Sequence, residues 1–231
     1  MNKLSILTIG IIGLVLLISI IPDSPLFEAN WALISTIIIM ITLVGFFYNI
    51  EKSKVTSKEI TLISTLGALA AIVRMPFAYL MSIQPTTFIA MITGYIFGPQ
   101  AGFMVGATAI LVSNFYAGQG MWTPWQMFCM GIAGASAAIL AKEGRQFNIK
   151  QFAFCCALWG YIYGWIMNLW YWTCFVYPLN FKTFVSTYLA SLAFDTFRAL
   201  GNMFFTLLLG NSFYRILIRF RKKLSIEYMK S

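Results

Sequence analysis

The chain has 231 residues, 60% of them hydrophobic and 10% charged, with a formal charge of +9 and no histidine. This balance lies well outside that of a soluble globular domain and makes the bilayer the solvent of the fold. Without histidine, and with four cysteines at no ligand spacing, a zinc or iron site is disfavoured. The basic residues gather in the links between apolar runs, which fits membrane orientation better than nucleic-acid binding.

Residues 4–21 form an uninterrupted apolar run after Lys3. No small-x-small pattern follows it, so a retained helix is predicted rather than a cleaved leader. A turn through Pro22 and Pro25 leads to a second predicted span, 31–48, with an aromatic end suited to an interface. Three lysines follow, and Thr56 with Glu59 three residues later reads as a capping box that opens the next helix. The chain therefore divides into a two-helix extension over 1–55, a main body over 56–214 and a basic cytoplasmic tail over 215–231. The fold class is an all-α, polytopic membrane protein of about eight helices.

Within the body the predicted spans are 60–81, 86–97, 101–116, 125–141, 151–173 and 187–211. The second of these is short and is bounded by the Gly98-Pro99 turn, which suits a buried position. Sorting the Lys and Arg residues among the loops places thirteen on one side and only Lys182 on the other. By the positive-inside rule both termini are expected in the cytoplasm.

Arg74 and Arg198 fall inside spans, and Asp195 is the only acid well inside one. Buried charge in a membrane is expensive. Asp195, Arg198 and Asn202 lie at i, i+3 and i+7 and form a polar stripe on one helix face. The stripe is either a cavity wall or an ion pair that pins neighbouring helices. Arg74 is expected to pair with Asp195, to meet a ligand, or to snorkel to the outer headgroups.

Gln84, Thr86, Asn114, Gln119, Trp122, Trp125 and Gln126 cluster at the outer ends of the middle helices. They make either the mixed polar and aromatic surface of a solute pocket or an interfacial aromatic belt. Asn168 and Trp172, on an aromatic-rich helix, are further cavity candidates. Ser64, Gly67, Ala68 and Ala71 form a small-residue face, and Gly131, Gly134, Ala135 and Ala138 form another; both suit close packing within the chain or docking of a separate membrane subunit.

No G-x-x-x-x-G-K-[ST] loop is present, no second aspartate faces Asp195, and no histidine could serve a serine nucleophile. These absences disfavour an ATPase and a membrane hydrolase, although a membrane-embedded enzyme or assembly factor stays as the alternative. Repeated halves of a secondary transporter are not evident. What remains is a helical bundle with an outward polar pocket and no motor.

The stretch QPTTFIAMITGYIFGPQAGFMVGATAILVSNFYAGQGMWTPWQMFCMGIAGA, from Gln84 to Ala135, resembles the substrate-binding S components of energy-coupling factor (ECF) transporters. The resemblance extends over about 56–211 and includes the Phe97-Gly98-Pro99 turn, the Gly102 to Gly106 spacing, the Gly120 to Trp125 loop and the Asp195, Arg198, Asn202 stripe. It implies a six-helix vitamin-binding bundle, most like the cobalamin-type branch, with no cofactor of its own. Its implied partners are a transmembrane scaffold subunit, which meets the first helix of the bundle at Ser64, Ala68 and Ala71, and two cytoplasmic ATPases.

Overall fold

A computed structural model describes residues 31–51, 57–77, 80, 82–141 and 147–228. The first predicted span, 4–21, the Thr56 cap and the link 142–146 lie outside the described residues. The described chain is helical, with no strand among these residues: α1 (Trp31–Glu51), α2 (Ser57–Arg74), α3 (Thr86–Phe97), α4 (Pro99–Ala117), α5 (Thr123–Ser136), α6 (Ile149–Phe175) and α7 (Phe181–Tyr228). Short 3₁₀ turns continue α2 over Met75–Phe77 and α5 over Ala137–Leu140.

Among the described residues, Ser57–Phe77, Ile149–Phe175 and Phe181–Lys223 are long and apolar enough to cross a membrane, and Thr36–Gly45 and Thr86–Phe97 are shorter apolar helices. The 12 residues of α3 reach only about 18 Å, well short of a bilayer's hydrocarbon core. Its environment is protein instead. Thr86 to Gly94 and Ile96 are all buried, and α3 packs on α2, α4, α5, α6 and α7. The outer surfaces carry large exposed apolar side chains, among them Phe115, Ile139, Phe154, Leu189 and Leu208, the pattern expected where lipid rather than water is the neighbour.

Local sequence explains the helix limits. Gly98 takes a positive φ of 97° and donates its N–H to the Gly94 carbonyl, and Pro99 then opens α4 at a position that needs no donor. Asn148 caps α6 by accepting from the Lys150 and Gln151 amides at 3.1 Å.

The last helix differs most from the sequence expectation of 187–211. It begins at Phe181 because Asn180 Oδ1 accepts from the Thr183 amide at 2.9 Å while Thr183 Oγ1 accepts from the Asn180 amide at 3.2 Å, a reciprocal cap inside what reads as a polar loop. It runs on to Tyr228 because Phe213, Tyr214, Leu217 and Ile218 continue the helical apolar spacing and pack on the core. Tyr214 stacks on Phe147 with centroids 4.5 Å apart. The basic segment from Arg215 is therefore, through Tyr228, the end of a 48-residue helix.

A glycine seam joins α3, α4 and α5. A methyl group added at Gly94 or Gly102 would collide with the Gly134 backbone, one at Gly134 with the Gly102 backbone, and one at Gly106 with the Met130 backbone. The Gly98 turn, which separates these glycines into two helices, also brings Gly94 and Gly102 to the same carbonyl. The Gly131 and Gly134 face thus packs within the chain. On α2, Gly67 meets Thr108 of α4, and Ala71 is 0% exposed. Ala71 is turned into the bundle and drops out of the expected docking face, whereas Ser64 and Ala68 stay exposed.

Candidate functional site

Arg74 ends α2, and its guanidinium is held by neutral oxygens from two other segments. Nε donates to Gln84 Oε1 at 3.0 Å, and Nη1 donates to Asn114 Oδ1 at 2.7 Å and to Ser113 Oγ. The Ser113 hydroxyl in turn donates to the Ala109 carbonyl at 2.6 Å, which leaves its lone pairs for the arginine. Asn114 Nδ2 reaches Gln126 Oε1 at 2.8 Å and Thr123 Oγ1 at 3.1 Å, and Thr123 Oγ1 also accepts from the Gly120 amide at 3.2 Å. The network ties α2, the loop before α3, α4 and the start of α5. Arg74 does not pair with Asp195.

The second network belongs to α6 and α7. Arg198 Nη1 lies 3.5 Å from Asp195 Oδ1, with the side chains 14% and 4% exposed. Asp195 Oδ2 accepts from Ser191 Oγ at 3.1 Å, and Asn168 Nδ2 donates to that same hydroxyl. Gly164 makes room for the carboxylate, since a methyl group there would collide with it. One turn before, Gly160 lets α6 approach the Ala199 backbone of α7. Asn202 is 0% exposed and donates from Nδ2 to the Cys156 carbonyl at 2.9 Å.

One loop joins the two networks. Arg198 Nη2 donates to Ser82 Oγ at 3.0 Å, two residues from the Gln84 that holds Arg74. Ser82 has φ 71°, a left-handed conformation that costs a non-glycine residue about 1 kcal/mol or more and persists only where its surroundings fix it. The Arg198 guanidinium lies over the Tyr163 ring at 4.5 Å. Two guanidiniums and the Asp195 carboxylate are thus linked through the Ser82 to Gln84 loop, with buried Tyr163 under Arg198. Four buried polar atoms in the described residues find no partner: Trp125 Nε1, Trp170 Nε1, Arg198 Nε and Asn202 Oδ1.

The other sequence candidates divide. Gln84, Asn114, Gln126, Asn168, Asp195, Arg198 and Asn202 join the networks, as described. Thr86 is fully buried and bonds the Ala70 carbonyl at 3.3 Å, which pins α3 to α2. Trp122 is 39% exposed and covers Gly120 at the surface. Gln119 bonds back to the Leu111 carbonyl at 3.0 Å, and Trp172 Nε1 donates to Thr183 Oγ1 at 3.0 Å near the α6–α7 turn. Ser82, Ser113, Thr123, Tyr163 and Ser191 are partners that the sequence reading missed. The Gly160-x-x-x-Gly164 spacing and the position of Ser191 four residues before Asp195 were the available signals. A small cleft of about 70 Å³ lies at the other end of α2, between Glu59, Ile63, Gln100 and Met104, and touches neither network.

The described residues form an all-helical bundle with helices long and apolar enough to cross a membrane and with buried polar networks. The family model described as the ECF transporter, substrate-specific component, matches residues 58–220, and the chain belongs to this family. The match begins one residue into α2 and ends within α7, beyond the limit expected for the last span. Membership makes the chain a substrate-capture subunit of a transporter, in keeping with the non-enzyme reading of its sequence. No solved structure matches the chain.

Proposed function

We propose that this S component captures a vitamin or related micronutrient, with cobalamin the leading candidate, and delivers it through a transmembrane scaffold subunit driven by two cytoplasmic ATPases. Residues 56–214 are the binding bundle, 1–55 an added two-helix element, and the chain is a multi-pass protein of the cell membrane with both termini in the cytoplasm. Ser64 and Ala68 offer the scaffold a close-approach face. The solute meets Arg74, Gln84, Asn114, Trp125, Gln126, Asp195, Arg198 and Asn202.

The observation that carries this reading is the convergence of two arginine networks on one loop, Ser82 to Gln84, in the interior of an apolar bundle of this family. Charges so placed are costly, and a placed set of donors and acceptors with apolar walls is what a solute site requires. Cobalamin is favoured by the carboxamides, hydroxyls and indoles of the site, which outnumber its charged groups.

The test is thermal stabilisation of the purified full-length protein by single vitamins. A ligand at 100 times its Kd adds about 2.7 kcal/mol. Arg198→Ala and Trp125→Ala are expected to reduce the shift by the stabilising vitamin. Lack of a shift with every vitamin in a broad panel would overturn the proposal.

A further inference from the structure

The Asp195, Arg198, Asn202 stripe leaves a donor and an acceptor unpartnered one helical turn apart. Arg198 uses Nη1 on Asp195 and Nη2 on Ser82, while Nε is buried without a partner. Asn202 uses Nδ2 on the Cys156 carbonyl, while Oδ1 is buried without a partner. Turning the Asn202 amide over does not relieve this, because its oxygen would then face the carbonyl oxygen of Cys156. The Cys156 carbonyl therefore fixes Asn202 with its acceptor unfilled. An unfilled buried donor or acceptor is costly, and native interiors seldom leave one so.

From this pair we infer that Arg198 Nε and Asn202 Oδ1 read a single group on the captured solute that accepts one hydrogen bond and donates another, a hydroxyl or a primary carboxamide. The inference rests on the solute-capture reading above and narrows its ligand class. A carboxylate fits poorly at this point. It could accept from Arg198 Nε, but it has no hydrogen to donate and would set oxygen against oxygen at Asn202. Stacking of Arg198 on Tyr163 holds Nε in its orientation.

Matched neutral and acidic probes test this on the full-length protein in lipid nanodiscs: cyanocobalamin against its monocarboxylate derivatives, panthenol against pantothenate, and nicotinamide against nicotinate. Wild-type protein is expected to bind the neutral member of at least one pair, at least tenfold more tightly than the acid. Asn202→Leu is expected to shrink that preference to about twofold or less. Binding that is equal for the two members, or tighter for the acid, overturns this inference and leaves the capture function standing. A preference unchanged in a folded Asn202→Leu protein also overturns it. Failure of wild-type protein to bind any of these probes or any other vitamin overturns both. The wild-type comparison needs no variant, so it decides the matter even if Asn202→Leu does not fold.

Discussion

At the scale of single residues, Asn114 does more than any candidate named from sequence position alone. Its Oδ1 accepts from Arg74 while its Nδ2 donates to Thr123 and Gln126, so one carboxamide joins α2, α4 and α5. Asn114→Ala leaves a guanidinium hydrogen and the half-buried Gln126 acceptor unfilled, while Thr123 Oγ1 keeps the Gly120 amide, and a loss of about 1–3 kcal/mol is expected, read as a lower unfolding midpoint in detergent. Asn114→Asp keeps the Arg74 contact and should recover part of it. The α7 stripe was legible because an i, i+3, i+7 spacing is a property of one helix. The partners of Arg74 were not, because Ser113 and Asn114 lie 39 and 40 residues away and meet it only through the crossing of α2 and α4. Pairing with Asp195 also looked open, since charge suggests such a pair, but the i, i+3 spacing on α7 gives Asp195 to Arg198.

At the scale of elements, proline, glycine and asparagine made most boundaries readable, and side-chain capping hid the rest. Thr86–Phe97 and the Gly98-Pro99 turn follow the sequence closely, whereas the start of α7 depends on the reciprocal Asn180 and Thr183 cap. The small-residue faces were legible as close-approach surfaces, but their partners were not. Which face meets this chain's own helices is decided by three-dimensional crossing, and the seam through Gly94, Gly102, Gly106 and Gly134 is internal. Gly134→Ala is expected to cost about 3 kcal/mol or more, because the obstructing atoms are backbone and cannot yield. Gly45→Ala is the control: a methyl there meets nothing within 4 Å, so stability is expected to hold or to rise by up to about 1 kcal/mol. Similar folded yields from both variants in a size-exclusion assay would remove the seam from the account of stability.

At the scale of the whole molecule, the charge distribution gives the proposed orientation a direct check. With native cysteines replaced, a cysteine at Lys182 is expected to react with a membrane-impermeant maleimide on intact cells, and one at Lys222 only after the membrane is opened; the reverse pattern would invert the topology. Membrane class and helical fold were readable from composition because the bilayer admits few architectures. The length of the last helix was not. Phe181–Tyr228, with no proline along it, extends for about 72 Å. Asn202 in the buried stripe and Lys223 near the basic end lie on this one rod, about 30 Å apart at the helical rise. The buried stripe and the basic end are thus parts of one continuous helix, with no proline between them to break it.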